Sequence, residues 1–414
     1  MKLGILTDTH LGLVQYGLKE REQDFYDQYF VAIKAFIDAE VDVVIIGGDI
    51  FDKPRPSPKA LEVFSTGLGL LFNQGIQVCN VIGNHAMIQA PGFVTADEFI
   101  GSIPRFSDNY TLLNEDIDFE SDVLIMGLPF HYNSEYDKMI EHIKEMNEYA
   151  GNVNKPSILV LHQSFKEFCG FDGEELSIRD IDTSNFDLIV CGHIHEKKII
   201  DLGNDTVFLQ PGSLERSTVA EAKDEENNGK GVFIIDSDHL DIDSIANGFC
   251  RFGYPRKFLI ADMYMNGEND VQDIEQEILS EIQNCIEAPI LFLTVHDKSN
   301  SFLTLMDLTK EMNNKCLTVN FNYFDESIQH DSILSTIDGD IPEPRKALKI
   351  SLNPLDKDQA QLGLDIYDLL KDGKDATDLL HNFLLKKAKE WAYEETREYY
   401  DDELQEIEHY FEGI

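Results

Sequence analysis

Eight short runs rich in Val, Ile and Leu constrain this chain more than any other feature: KLGILT (2–7), VDVVIIG (41–47), QVCNVI (77–82), SDVLIMG (121–127), PSILVLH (156–162), DLIVCG (187–192), TVFLQ (206–210) and GVFIID (231–236). Their apolarity is continuous instead of alternating, the pattern of strands buried on both faces. Between the first two, residues 19–39 carry Phe25, Tyr29, Ala32, Phe36 and Ala39 at helical spacing. A second helix is predicted from Pro58, with Leu61, Phe64, Leu68 and Leu71 on one face. The order β-α-β-α-β predicts an α/β fold, a parallel or mixed sheet flanked by helices.

At 414 residues the chain is too long for one core, and the pattern restarts at GFCRFGYPRK (248–257) as a smaller unit. There, strands 257–264, 290–296 and 316–324 alternate with helices 270–286 and 302–313, enough for a compact second α/β domain. The predicted division is residues 1–250, 251–335, a linker over 336–374 that carries Pro342, Pro344 and Pro354, and a helical segment over 375–414. That last segment has a stripe of Leu380, Leu384, Ala388 and Trp391, then nine Asp or Glu against one Arg from Glu394 onward.

Composition removes whole classes of function. No stretch approaches the roughly 18 to 20 apolar residues of a membrane helix, and MKLGILTDTH reaches Asp8 too soon for a signal peptide. The expectation is therefore a protein with no membrane association. Six scattered cysteines without C-x-x-C pairs fit a reducing cytoplasm. The formal charge of −43, from 34 basic and 77 acidic residues, opposes nucleic-acid binding except where positive charge is concentrated locally.

The chemistry lies where polar residues break the strands at their C-terminal ends. After run one stands DTH (Asp8, His10), after run two GGDIFD (Asp49, Asp52), after run three GNH (Asn84, His85), then LHQ (His162) and GHIH (His193, His195). Ligands of open α/β sheets bind outside the carboxyl ends of the strands, so five such groups converge on one edge. Imidazole, carboxylate and amide donors without thiolate suit Mn²⁺, Fe or Zn²⁺. The inventory exceeds what one tetrahedral ion uses, which implies two metals.

In this pattern, D-x-H, G-D, G-N-H, a lone His and G-H-x-H, in order over residues 8–195, the chain resembles the calcineurin-like metallophosphoesterases. Within them it is similar to the SbcD and Mre-eleven group of double-strand-break-repair nucleases, on THLGLVQYGLKEREQDFYDQYFVAI (9–33), GGDIFDKPRPSPKAL (47–61), QPGSLERS (210–217) and GKGVFIID (229–236). The resemblance implies a metallophosphoesterase sheet core flanked by helices, a small α/β capping domain and a helical C-terminal tail. It also implies that Asp8, His10, Asp49 and His195 hold one metal while Asp49, Asn84, His162 and His193 hold the other, and that His85 is catalytic. Two ions can orient a phosphodiester and generate hydroxide near neutral pH, with His85 stabilising charge on the phosphate or protonating the departing oxygen.

On the same ground, the expected activity is a metal-dependent DNA exonuclease and endonuclease that processes duplex ends and single-stranded DNA. Two Mn²⁺ per chain are expected, with Mg²⁺, Fe or Zn²⁺ as alternatives. A coiled-coil ABC-type ATPase of the SbcC class is the expected partner of the 375–414 segment, and the phosphoesterase domain is expected to form a homodimer. Rival readings are another phosphatase or phosphodiesterase of the superfamily and a weakly active DNA-end-binding scaffold. Two positions depart from the pattern: Ala86 replaces the acidic residue usual after the catalytic histidine, and Asp52 stands where some members carry a second phosphate-facing histidine. Asp52, Lys53, Arg55 and Arg216 are candidate DNA or phosphate contacts, with Lys59, Lys197 and Lys198 nearby in sequence; His131 in LPFHYN is expected to be structural.

Overall fold

The computed structural model describes residues 1–325 apart from 88–93, 115–117, 170–175, 224–228, 254–255, 266–269 and 299–301. Two units divide the chain, Met1–Phe324 and Asp325–Ile414. The predicted linker and the predicted helix over 375–414 lie outside the described residues.

The eight apolar runs all become strands, but in two sheets instead of one. The first has the order β12-β11-β1-β2-β3-β4, with β1 Lys2–Leu6, β2 Val43–Ile46, β3 Gln77–Asn80, β4 Tyr110–Leu112, β11 Gly231–Asp236 and β12 Phe249–Arg251. The second runs β5-β6-β7-β8-β10-β9, from β5 Phe119–Glu120, β6 Leu124–Leu128, β7 Ser157–His162, β8 Leu188–Gly192, β9 Lys198–Gly203 and β10 Thr206–Gln210. Strands β1 to β4 are mutually parallel, and so are β6, β7, β8 and β10. The antiparallel strands β11, β12, β5 and β9 complete the outer parts of the two sheets.

Leu3, Ile5, Val43 and Ile45 of the first sheet interlock with Ile158, Val160, Leu188 and Val190 of the second in one core cluster. The opposite faces are covered by helices. Leu6, Val44 and Ile46 pack under helix α1 (Lys19–Asp38) and helix α2 (Pro58–Phe72), while Leu124, Leu128, Leu159 and Leu161 pack under the helix Tyr136–Ala150. A strand backed by a second sheet is as apolar on both faces as one backed by helices, so continuous apolarity could not separate one sheet from two. Helix α2 begins where Ser57 accepts from the Ala60 amide at 3.1 Å and Pro58 takes the first helical position.

Inside the first unit lies a smaller subdomain with its own sheet, β13 Phe258–Met265, β14 Ile290–Asp297 and β15 Thr318–Asp325, and helices Asp270–Ile282 and Phe302–Asn313. Its start is clamped to the large domain by buried charge. Arg21, Arg216 and Arg256 are 0, 2 and 6% exposed. Asp24 Oδ2 accepts from both Arg21 Nη1 and Arg256 Nε at 2.6 Å, and Glu215 Oε1 accepts from Arg216 Nε at 3.2 Å. The Phe258 ring meets both the Arg21 and Arg216 guanidinium groups, 5.1 and 4.7 Å from its centroid. Among the described residues no helix is long and apolar enough to cross a membrane.

Candidate metal centre

The parallel strands of both sheets end at one place, and their last turns supply the polar residues. Four of these have left-handed backbone: Asp8 (φ 52°), His10 (43°), Asp49 (49°) and His193 (91°). Such conformations cost roughly 1–3 kcal/mol each outside glycine and persist where surrounding contacts fix them. Here main-chain bonds tie loop to loop: Asp8 N–H donates to Gly48 O at 3.1 Å, His10 N–H to Asp49 O at 3.1 Å and Leu11 N–H to Ile50 O at 2.8 Å. Gly48 (φ 95°) has no substitute, since a Cβ there would sit 2.4 Å from His162 Nδ1.

Three side chains form one donor group. His10 Nε2 and His195 Nε2 are 3.0 Å apart, and each lies 3.9 Å from Asp8 Oδ1. Asp8 is fixed by Thr7 Oγ1, which donates to Oδ2 at 2.6 Å, and by the His193 amide at 3.2 Å. A second group surrounds Asn84 Oδ1, which is 3.0 Å from His162 Nε2 and 2.8 Å from His193 Nδ1, while His162 Nε2 lies 3.2 Å from Asp49 Oδ2. Donors about 2.0–2.2 Å from one ion stand roughly 3 to 3.5 Å from each other. The spacings between the two histidine nitrogens of the first group and around Asn84 and Asp49 in the second are of about that size, the Asp8 carboxylate standing slightly farther off at 3.9 Å. His162 Nδ1 donates to Gly47 O at 2.7 Å, which turns its Nε2 inward. The donor set fits divalent ions.

Electrostatics agree with that fit. Burial and the neighbouring His195 hold His10 down to about 3, and burial with His162 holds His193 down to about 4. These rings stay neutral, the state a metal ligand requires. Burial opposes charge on both Asp49 and His162, yet their contact outweighs it: Asp49 is held well below the carboxylate range and His162 is pushed up to about 9. The pocket favours positive charge beside Asp49.

The calcineurin-like phosphoesterase family profile matches residues 1–197. The chain is 31% identical over 336 residues to the DNA double-strand break repair protein Mre11 of Methanococcus maripaludis, a match spanning 80% of this chain and 86% of that one. The chain belongs to the Mre11 family. The Mre11 of Methanocaldococcus jannaschii is 29% identical over 325 residues, covering 77% of this chain and 83% of that one, and the Mre11 of Saccharolobus solfataricus is 27% identical over 300 residues.

In this Mre11-family chain the structure brings together all seven predicted ligand residues, Asp8, His10, Asp49, Asn84, His162, His193 and His195, with His85 beside them. The His85 amide donates to Asp49 Oδ1 at 2.9 Å, and its ring meets His10 edge-on at 4.7 Å. Ring Nδ1 lies 2.7 Å from the Asp52 carbonyl oxygen and 4.0 Å from the Asp52 carboxylate. A carbonyl only accepts, so Nδ1 carries the hydrogen and Nε2 is left for a ligand. Ala86 is buried, 6% exposed, and the carboxylate beside the His85 ring comes from Asp52, whose pKa burial raises.

The basic residues divide. Lys53 and Arg55 are exposed on the loop after β2, and exposed Lys59 pairs with Glu62 at 3.0 Å. Arg216, a sequence candidate for phosphate contact, is instead buried in the domain seam, where Nη2 donates to Arg256 O at 2.6 Å. Lys197 lies 3.6 Å over the Phe249 ring and Lys198 pairs with Glu196 at 2.8 Å. His131 is buried, with Nδ1 2.8 Å from Pro129 O. Sequence reading missed Thr7, Gly48 and Phe130, whose ring lies 5.6 Å from His193. The signal for Thr7 and Gly48 was adjacency to a ligand; Phe130 had none.

Proposed function

We propose that the chain hydrolyses phosphodiester bonds of DNA at a two-ion centre and processes DNA ends in double-strand-break repair. The observation that carries this reading is the presence of two donor groups at the strand ends, Asp8–His10–His195 and Asp49–His162–His193, with the His85 amide on the Asp49 carboxylate. In the assignment we favour, Asp8, His10, Asp49 and His195 hold one ion, and Asp49, Asn84, His162 and His193 hold the other, with Mn²⁺ as the working metal. When bound, such ions supply Lewis acidity and an activated water.

The chain's own residues do the rest. Thr7 and the His193 amide orient Asp8; the His85 amide orients Asp49. His85 presents Nε2 towards a phosphate and can hold or pass a proton there. Exposed Lys53 and Arg55 offer phosphate contacts that are local exceptions on a polyanionic body. The names of the relatives support DNA as substrate. A coiled-coil ABC-type ATPase of the SbcC class as partner, docking at residues 375–414, and pairing of two phosphoesterase domains complete the proposal.

The deciding experiment measures Mn²⁺-dependent degradation of linear duplex DNA by the full chain, with p-nitrophenyl phosphate esters as competing substrates. Two ions bound per chain and cleavage of DNA support the reading. Cleavage of the monoester alone would assign a phosphatase, and Asp49→Ala with unchanged metal stoichiometry would remove the two-ion centre.

A further inference from the structure

His195 is held from behind by a hydrogen-bonded series that no ligand assignment includes. Its Nε2 faces His10 and Asp8, while Nδ1 lies 2.9 Å from Ser217 Oγ. Ser217 Oγ is in turn 2.6 Å from Glu221 Oε1, and the other oxygen of Glu221 is 2.6 Å from Lys230 Nζ. The direction of each bond follows from the groups. A carboxylate paired with an ammonium only accepts, so the Ser217 hydroxyl hydrogen points to Glu221 and its lone pair accepts from His195 Nδ1–H. That fixes the tautomer, leaving the Nε2 lone pair on the side of Asp8 and His10.

The same ammonium also fixes the main chain of His195. Lys230 Nζ donates to His195 O at 2.7 Å and to Ser213 Oγ at 2.7 Å. Ser217 is placed by its own carbonyl, which accepts from Gln15 Nε2 at 2.7 Å. Lys230 and Glu221 are buried or nearly so, 6 and 13% exposed, so the ring and the main chain of His195 share one desolvated ion pair. Glu221 Oε1 itself stops 3.6 Å short of Nδ1, and the hydroxyl is the closer partner.

We propose that Ser217, oriented by the Glu221–Lys230 pair, is a positioning residue that sets the tautomer and aim of His195 as a ligand of one of the two ions. Ser217 Oγ contacts His195 Nδ1 and Glu221, and is not one of the assigned ligands. The proposal rests on the two-ion reading above. It assigns work to the PGSLERS segment, whose arginine turned out to be buried in the seam.

The test uses the full chain and Mn²⁺ as the probe, with binding read by isothermal titration and by electron paramagnetic resonance of free Mn²⁺ at fixed pH. Removing an outer partner of a metal-bound histidine costs about 10- to 100-fold in affinity. Ser217→Ala should therefore weaken one Mn²⁺ by that factor and leave the other as in the parent. Ser217→Thr, which keeps the hydroxyl, should restore it, and Glu221→Ala, which leaves Ser217 in place, should shift the same ion in the same direction. Two ions held with parental affinity in both alanine variants would overturn the positioning role, as would a Thr variant as weak as Ala, which would make the site one of packing. A parent chain that binds fewer than two ions would overturn the two-ion reading instead.

Discussion

His85 Nδ1 lies 2.7 Å from the carbonyl oxygen of Asp52 and 4.0 Å from its carboxylate, so the main chain and not the acid holds the ring. The imidazole is 39% exposed, and its removal should leave the donor groups intact. His85→Ala is expected to keep its metal content and lose about 10²- to 10⁴-fold in the rate of DNA cleavage. Asp52→Asn, which keeps the carbonyl, should lose less than tenfold. A loss in Asp52→Asn as deep as in His85→Ala would transfer the holding role to the carboxylate.

Gly48→Ala tests the strained loop between the two donor groups. The new Cβ would face His162 Nδ1 at 2.4 Å, where the bond to Gly47 O now orients the ring, and the residue would have to keep φ near 95°. The backbone penalty alone is roughly 1–3 kcal/mol. Metal content measured by mass spectrometry should fall from two ions towards one, with the unfolding midpoint in urea lowered. Two ions and an unchanged midpoint would mean that the loop relaxes without disturbing His162.

Asp24→Ala addresses the seam between the domains. One of its carboxylate oxygens serves both Arg21 and Arg256 at 2.6 Å, and both arginines are buried, 0 and 6% exposed. Removing one partner of a buried ion pair strands the other charge, at about 3–5 kcal/mol. Equilibrium urea unfolding should register that loss, or a separate early transition of the small domain. A change under 1 kcal/mol would show that Glu215 and the Arg216 carbonyl already satisfy Arg21, and that the Ala288 carbonyl and Glu287 already satisfy Arg256.

How much of this was legible beforehand follows from particular residues. Strand ends were readable because Asp8, Asp49, Asn84, His162 and His193 interrupt apolar runs, and each interruption falls at the mouth of the site. Helix α1 was readable from Phe25, Tyr29, Ala32 and Phe36, all buried as predicted. The division of the strands into two sheets was not, because Leu3 and Leu6 are equally apolar although one faces a sheet and the other a helix. Arg216 misled for a related reason: a guanidinium near a motif reads as a phosphate contact, whereas its partners Arg256 O and the Phe258 ring, some 40 positions away, are set by tertiary packing. Glu221 and Lys230 meet at 2.6 Å across nine positions of sequence, a pairing that no local spacing rule anticipates.

Asp97 gives a prediction about pH. It is buried on the short helix Ala96–Gly101, where Oδ1 accepts from Asn80 Nδ2 at 2.9 Å while Oδ2 has no partner among the described residues. Burial, only partly offset by the Asn80 bond, pushes its pKa up to about 6 from 3.8. The sign follows from proton counting. Near pH 4 and below, native and unfolded chains both hold the proton increasingly alike; between about 4 and 6 the native chain keeps a proton that the unfolded chain releases, so stability falls as pH rises through that window. Above about 6 the carboxylate is ionised in both states and the loss is complete. Asp97→Asn, neutral throughout, removes this dependence. The stability difference, variant minus parent, should therefore grow in the variant's favour by on the order of 1 kcal/mol between pH 5 and pH 7.5, measured by urea unfolding in one buffer series. Because every other titrating group is common to both chains, a flat difference across that interval would mean that Asp97 is already ionised at pH 5 in the folded protein.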